Sequence, residues 1–314
     1  MLQAKDFESL EVRQKDGVRI VNVGANVCLY IEPPFEEISD KVLAVYDAFL
    51  ELCPKEKLVW YLTNSMEKHE KVTSRTLSIP RTWLTSKKKS NELMSFEIKN
   101  AISKYHSDAP DWKFSFVSRS RDNTLFVTRA NYIDVLFPYE YLEEHLRDFS
   151  EFAEYVCNQL PFLSGHAGYA FEVSRYYENR GAFDKALSLG MRYKEIDISE
   201  PEFSQVVKKY NGIKGINWLT IICADFVKKL PDSGPKKHEK LVFREINEGL
   251  IIQAGERPAV ADGNRGELVN AYHETYNLLK PLFVKTPFPL RISGGFEERM
   301  DKTLRWVHRF ETNE

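Results

Sequence analysis

Two short apolar segments near the middle of the chain most constrain its fold. Residues 163–171 and 216–222 predict buried strands, although the second run also fits the start of a buried helix. The polar segment between them must cross over to join them. Gly165 and Gly168 interrupt the first run. A strand accepts glycine where another group packs closely on its backbone or where its dihedral angles are unusual.

Hydrophobic periodicity predicts further elements along the chain. Strands are predicted at 7–14, 18–31, 58–62, 112–118, 131–137 and 249–255, and helices at 36–53, 140–160, 183–193, 202–210, 268–282 and 296–310. The strands come in clusters instead of alternating strictly with helices, which argues against a doubly wound sheet. We therefore predict an α+β fold with a mixed or mainly antiparallel sheet and helices packed over it. Residues 1–314 are expected to form a single domain, or two lobes divided near 138–160.

Charge and cysteine content narrow the class of protein. Lys+Arg 44 against Asp+Glu 46 gives a formal net charge of -2. Because a dedicated nucleic-acid binder normally shows a basic excess, no direct contact with nucleic acid is expected. The chain has neither the apolar start of a signal peptide nor the run of about 20 apolar residues that crosses a membrane. The four cysteines form no CxxC pair and lie mostly among apolar residues, which favours a reducing cytoplasm.

No catalytic or metal-binding motif is complete in this sequence. His273-Glu274 begins like the zinc-protease motif HExxH, but residue 277 is asparagine, so the second zinc ligand is missing. The chain also lacks a nucleophile elbow, a phosphate loop and a dinucleotide fingerprint. We predict no catalytic residue, no metal ligand and no cofactor.

His166 permits two interpretations. The favoured one is a structural histidine bonded to the backbone or to a carboxylate. The alternative is a hydrolase or nuclease with an unrecognised active site. That site would require His166, Asp225 and Asp262 to converge in one deep pocket with perturbed pKa values.

The helix predicted at 140–160 carries an acidic stripe on the face opposite its apolar face. Its carboxylates, with Arg147 as the one basic neighbour, are Glu140, Glu144, Asp148 and Glu151, flanked by Glu143 and Glu154. Like charges four residues apart cost a helix about 0.2–0.5 kcal/mol per pair. A solvated surface is the plain interpretation, and an anionic surface for a basic partner is the sharper one. Within this stripe, the candidate partner-binding residues are Glu144, Asp148 and Glu151.

A second candidate surface is the irregular segment 256–266. Segments rich in glycine and aspartate that follow a strand often carry binding residues. The alternative is a turn at 262–264 that its own side chains stabilise. The candidate partner-binding residues here are Glu256, Asp262 and Arg265.

Three sequence motifs together suggest a family. They are SGHAGYA at 164–170, GINWLT at 215–220, and GLIIQAG at 249–255 followed by Pro258 and DGN at 262–264. Over residues 20–285, their order and spacing resemble those of a bacterial type VI secretion immunity family. This family was long described as a domain of unknown function. Some of its members are encoded beside VRR-Nuc type nuclease effectors, which they neutralise.

The resemblance implies a cytoplasmic antitoxin without catalysis of its own. Such a protein forms a stoichiometric complex with its cognate type VI secretion effector, here expected to be a nuclease, and blocks the active site. The shared motifs consist of glycines, small residues and a tryptophan, so they are expected to specify the fold and not the contact surface. A third hypothesis is a scaffold that joins several toxin-delivery components.

Overall fold

One mainly antiparallel sheet extends through the described part of the chain. The computed structural model describes residues 1–84, 93–100, 106–174, 181–203, 207–208, 211–231 and 238–311. Twelve strands of these residues join the sheet: β1 (Val12–Arg13), β2 (Arg19–Ile31), β3 (Leu58–Thr63), β4 (Glu70–Lys71), β5 (Leu93–Asn100), β6 (Lys113–Arg119), β7 (Asn131–Pro138), β8 (Phe162–Val173), β9 (Asp197–Ile198), β10 (Leu219–Cys223), β11 (Leu241–Ile246) and β12 (Gly249–Ala254).

The long strand β2 occupies the centre of this sheet, between β7 and β8. The strand order is β11-β12-β10-β8-β2-β7-β6-β5-β3-β4, with β1 paired to β2 and β9 paired to β8. Within the described ranges all pairs are antiparallel except β8 with β9. The α+β prediction is confirmed, and the single-domain prediction stays a prediction. β7 and β8, which flank the proposed division at 138–160, both pair with β2.

The helices connect the strands and pack on the sheet. They are α1 (Phe35–Leu52), α2 (Ile79–Leu84), α3 (Tyr139–Glu144), α4 (Leu146–Gln159), α5 (Gly181–Arg192), α6 (Ala224–Val227), α7 (Asn270–Leu279) and α8 (Phe296–Val307). Short 3₁₀ helices lie at Ala4–Leu10, Lys55–Lys57, Thr76–Ser78, Pro201–Phe203, Gly263–Arg265 and Lys280–Leu282. Among the described helices, none combines the length and the apolar character that a bilayer crossing requires.

One face of the sheet is apolar, and α1 and α4 cover it. Phe49 of α1 lies 5.6 Å from Phe114 and 6.1 Å from Phe137, measured between ring centroids. Phe149 of α4 packs edge-on against the same Phe137 at 5.8 Å. Because alternate residues of a strand point to opposite faces, these aromatic residues of β6 and β7 form one continuous layer.

The opposite face of the sheet carries buried charges, which the sequence analysis did not predict. Lys113 of β6 places its Nζ 2.7 Å from a carboxylate oxygen of Asp134 and 2.7 Å from one of Glu172. All three side chains are at most 4% exposed. Buried ions are tolerated only when they are paired and hydrogen-bonded. This cluster therefore connects β6, β7 and β8 across the face that α1 and α4 leave uncovered.

Most of the predicted elements are present, and two predictions are wrong. Of the strand predicted at 7–14, only Val12–Arg13 is extended, because Phe7 and Leu10, three residues apart, are both buried by a 3₁₀ helix that ends at Leu10. The helix predicted at 140–160 is interrupted at His145, whose backbone lies at φ -125 and ψ 44. We attribute this break to tertiary packing, because it allows Phe149 to contact both Phe137 and Trp218.

Some segments were either missed or lie outside the described residues. Strands β5 and β11 had no counterpart in the sequence prediction. Of the helix predicted at 202–210, positions 204–206 and 209–210 lie outside the described residues. The ambiguous run at 216–222 resolves into strand β10, which pairs directly with β8.

Candidate partner-binding surface

The acidic stripe is divided between α3 and α4, and each of its three candidate carboxylates has different surroundings. Glu144, the last residue of α3, is exposed and forms no ion pair with any described residue. Asp148 lies 3.6 Å from Nδ1 of His145. Glu151 accepts a 2.6 Å hydrogen bond from Arg147. Two of the three carboxylates thus have a basic neighbour within their own segment, but both remain more than half exposed.

Two arginines from distant segments approach the flanks of the stripe. The guanidinium of Arg244 in β11 lies 3.6 Å from the carboxylate of Glu154. Arg257 lies 3.7 Å from the carboxylate of Glu143 and donates a hydrogen bond to its main-chain carbonyl at 3.1 Å. Sequence reasoning counted Arg147 alone as a basic neighbour, since neither arginine is close in the chain. These arginines partly compensate Glu143 and Glu154, as Arg147 compensates Glu151. Of the three candidate carboxylates, Glu144 is the one without an ion pair to a described residue.

The second candidate segment begins beside α3, because Arg257 contacts Glu143. Glu256 and Arg265 are exposed, as a binding role requires. Asp262, in contrast, is buried. Both of its carboxylate oxygens accept hydrogen bonds from Arg192 at the end of α5, at 2.8 and 2.6 Å.

Asp262 also caps its own turn by accepting a 3.1 Å hydrogen bond from the backbone N–H of Asn264. The hydrogen bonds from Arg192 lower the pKa of Asp262 to about 2, with smaller contributions from Asn264 and Arg265. This geometry matches the alternative interpretation of a self-stabilised turn. The structure thus uses the carboxylate of Asp262 internally and leaves Glu256 and Arg265 at the surface.

A cleft of about 400 Å³ lies beside Glu144, between α3 and the 3₁₀ helix Ala4–Leu10. Five carboxylates and two permanent cations line it, namely Glu8, Glu11, Asp111, Glu140, Glu144, Arg19 and Lys57. Arg19 is committed to Glu11 and Asp111, at 2.9 and 2.6 Å. Sequence reasoning missed this site because its walls come from four separate segments of the chain.

His166 lies in a buried charge cluster on the polar face of the sheet. Its Nε2 is 3.1 Å from the carboxylate of Asp197, which also accepts a 2.7 Å hydrogen bond from Lys214. Burial, and then the charge of Lys214, lower the pKa of His166. Burial alone would raise the pKa of Asp197, but Lys214 and His166 outweigh it and hold that pKa well below its usual range. The structural interpretation of His166, which expected a backbone or a carboxylate partner, is consistent with the position of Asp197.

The alternative catalytic site required His166, Asp225 and Asp262 in one deep pocket. Asp225 is 79% exposed and pairs with Lys228 at 2.9 Å. His166 contacts Asp197, and Asp262 is held by Arg192. Each of the three groups thus has a different partner, and the geometry does not favour a shared site for them.

Comparisons of sequence and of structure both relate this chain to type VI secretion proteins. The sequence profile of a protein family described as type VI immunity for VRR-NUC matches residues 41–310. A solved structure described as a Pseudomonas aeruginosa T6SS protein superposes with a TM-score of 0.84 and 18% sequence identity, and covers 99% of this chain and 90% of that chain. At this identity the likeness shows a shared fold. No curated protein matches the sequence.

Proposed function

We propose that this chain, which belongs to the family of type VI immunity proteins for VRR-NUC, binds a cognate nuclease effector and neutralises it. The observation that carries this proposal is the family match over residues 41–310. Inhibition would come from a stoichiometric complex that blocks the active site of the effector. Such a mechanism requires no catalysis, cofactor or direct contact with nucleic acid on the part of this chain.

The charge of the candidate surface supports a nuclease partner. A nuclease must present basic groups to the phosphates of its substrate, so an inhibitor gains from opposing carboxylates. The exposed residues Glu144, Asp148 and Glu151 supply these carboxylates on α3 and α4. We propose these three residues as the first contact surface. The second is the 256–265 segment, in which Glu256 and Arg265 would contact the effector and Asp262 would hold the turn.

We place the site of action in the cytoplasm, where an effector that attacks nucleic acid would meet its target. The cysteines are compatible with a reducing compartment, since all four are free thiols and three of them are buried. Burial, with a smaller effect from Glu56, raises the pKa of the Cys53 thiol to about 12. A thiol with a raised pKa carries little reactive thiolate.

Co-expression tests the proposal directly. Cells that produce the effector encoded next to this protein should stop growing, and production of this protein should restore their growth. The purified pair should also elute as one complex of fixed stoichiometry, and the nuclease activity of the effector should disappear at a molar ratio of about one. Failure to rescue growth against every adjacent toxin would contradict the proposal.

Reversal of the acidic surface should slow the encounter with the effector. In the variant Glu144→Lys/Asp148→Lys/Glu151→Lys, we expect the association rate at low salt to fall about tenfold or more, because opposite charges steer the encounter. The rate should also become less sensitive to added salt. Surface substitutions usually change the free energy of unfolding by only about 0.5 kcal/mol, so the fold should persist. Stopped-flow association measured over a range of salt concentrations gives both quantities.

A matched control for this reversal is available on α8. Glu297→Lys/Glu298→Lys/Asp301→Lys reverses three exposed carboxylates and also breaks one ion pair, between Glu298 and Lys302 at 2.6 Å. Its change in net charge equals that of the test variant. If both variants slow association equally, the effect reflects overall charge and the α3–α4 surface has no special role. An unchanged rate for the test variant would move the proposed contact to the 256–265 segment.

A further inference from the structure

We propose that β11, an edge strand of the sheet, pairs with an extended segment of the bound effector that carries apolar side chains and at least one basic side chain. The inference rests on the proposed function and adds to it a mode of recognition and the chemistry of the segment that is recognised. Strand addition at a sheet edge gives affinity through main-chain hydrogen bonds and specificity through pockets for alternate side chains.

The two edges of the sheet differ in length. Among the described strands, β4 ends one side with two residues, Glu70–Lys71, whereas β11 ends the other with six, Leu241–Ile246. The register of β11 with β12 runs through all six residues without a shift. Folded proteins usually shorten, bulge or cover their edges, because an open edge is a template for another strand. The length and regularity of β11 therefore fit an edge that is available to a partner.

The hydrogen bonds of β11 direct alternate main-chain groups outward. The N–H of Gly255, just beyond β12, donates a 3.1 Å hydrogen bond to the carbonyl of Lys240. Because bonded pairs alternate along an antiparallel ladder, every second residue after Lys240 also bonds to β12. Ala254, opposite Leu241, agrees with this phase, since its N–H turns away from β11 to the carbonyl of Trp218. The groups that point away from the sheet thus belong to Leu241, Phe243 and Glu245.

Two of these outward positions are open. The N–H of Leu241 turns back to the carbonyl of His238 at 3.2 Å. The outward main-chain groups of Phe243 and Glu245 form no hydrogen bond with any described residue. Each of the two residues offers one N–H donor and one C=O acceptor, so an added strand would find a regular ladder there.

A groove of about 770 Å³ lies along this edge. Apolar side chains of β11, β12, α7 and the segment 227–230 form much of its wall, namely Val227, Leu230, Phe243, Ile246, Leu250 and Leu278. The side chains of an added strand would alternate between the two faces of the sheet, so every second one would lie on the same face as Phe243. The groove therefore favours apolar side chains at alternate positions of the bound segment.

The charges at the groove favour a basic residue beside the apolar ones. Glu245 and Glu248 line the groove, are exposed and form no ion pair with any described residue. Of the described basic residues in its wall, Lys228 pairs with Asp225 at 2.9 Å, which leaves the titratable His238. A lysine or arginine of the bound segment would therefore meet carboxylates that are not already neutralised.

This edge also lies beside the acidic helix α4. The guanidinium of Arg244 is 3.6 Å from the carboxylate of Glu154, and the N–H of Asn247 donates a 3.5 Å hydrogen bond to the side chain of Asn158. Glu151 is one helical turn before Glu154 on the same helix. One basic partner could thus contact β11 and the proposed first contact surface together.

Hydrogen exchange measured by NMR on the unmodified full-length protein tests the pairing directly. In the free protein, the amides of Phe243 and Glu245 should exchange much faster than those of Val242 and Arg244, which bond to β12. A catalytically inactive form of the adjacently encoded effector should slow exchange at Phe243 and Glu245 by about tenfold or more, and change Val242 and Arg244 less. This alternating response distinguishes strand pairing from general shielding of the surface.

Two substitutions at Glu245 separate the side chain from the main chain. Glu245→Ala removes the carboxylate and should weaken effector binding a few-fold, measured by isothermal titration calorimetry. Glu245→Pro removes the same carboxylate and also the outward N–H, so its affinity should be lower by a further factor of about ten. Proline is tolerated where the N–H of an edge strand faces solvent, and thermal unfolding of both variants checks that the fold persists.

Three results would overturn the strand-addition proposal while the immunity function stands. They are a bound effector without added protection of Phe243 and Glu245, equal affinities of the folded Glu245→Pro and Glu245→Ala variants, and protection in the free protein that rises with its concentration. The last result would assign the edge to a second copy of this chain. Unchanged affinity of Glu245→Ala would contradict the basic character of the segment. If the unmodified protein binds no adjacent effector, the proposed function itself fails, so the two failures are distinguishable.

Discussion

Replacement of Lys113 by methionine is expected to lower the free energy of unfolding by about 3–5 kcal/mol. The Nζ of Lys113 lies 2.7 Å from carboxylate oxygens of both Asp134 and Glu172, and the lysine side chain is only 1% exposed. Methionine fills a similar volume but leaves two buried carboxylates without their shared cation, and breaking a buried ion pair typically costs about this much. Since proteins are usually stable by only about 5–15 kcal/mol, urea denaturation should detect the change easily.

Two variants control for this result. Lys41→Met, at an exposed position of α1, should change stability by less than about 0.5 kcal/mol. Lys113→Met/Asp134→Asn/Glu172→Gln removes the uncompensated charges together with the cation, so it should recover part of the lost stability. If Lys113→Met alone were as stable as the unmodified protein, the cluster would not hold β6, β7 and β8 together as we infer.

Replacement of Gly168 by alanine is expected to destabilise the protein by several kcal/mol, for two separate reasons. The residue has a φ of +147, which L-amino acids rarely adopt, and such strain costs about 1–3 kcal/mol. A Cβ at this position would also lie 2.3 Å from the Oδ1 of Asn217, and overpacking costs about 1–3 kcal/mol more. Asn217 cannot move away freely, because its Oδ1 accepts a 2.7 Å hydrogen bond from the backbone N–H of Trp218.

Gly181→Ala is the matched control for this substitution. Gly181 begins α5, and a Cβ added there meets no heavy atom of the described residues within 4 Å. Alanine should therefore be neutral or slightly stabilising, because it reduces the entropy of the unfolded chain by about 0.4–1 kcal/mol. The difference in thermal midpoint between the two variants measures the strain and crowding at Gly168. Equal midpoints would contradict the close packing of β8 against the segment that contains Asn217.

The glycines of β8 show what the local sequence can predict about packing and what it cannot. Gly165 and Gly168 indicated, from sequence alone, that another group packs closely on this strand. The structure identifies those groups, since a Cβ at Gly165 would lie 2.6 Å from the carbonyl oxygen of Cys28. The sequence could establish that close contact was required, because glycine is otherwise costly in a strand. It could not identify the contacting group, because Cys28 is more than a hundred residues away in the chain.

Local periodicity determined most of the secondary structure and the α+β class, and the resemblance of three short motifs to a known family indicated the family. These properties depend on residues close together in the chain, and burial of an alternating or helical apolar pattern leaves few other solutions. The errors occur where distant contacts outweigh that local pattern. The 3₁₀ helix Ala4–Leu10 buries Phe7 against Tyr139 and Tyr169, where a strand was predicted to begin. Packing on Trp218 accompanies the break in the 140–160 helix.

Only the tertiary structure decided which of the charged residues are available to a partner. Asp262 was a candidate contact by sequence, but Arg192, 70 residues away, holds its carboxylate inside the protein. Arg244 and Arg257 likewise compensate Glu154 and Glu143, whereas Glu144 stays exposed at the edge of a cleft that the sequence did not reveal. The physical reason is that the free energy of a charge depends on its burial and on cations within a few ångströms. In this fold those cations come from segments far apart in the chain.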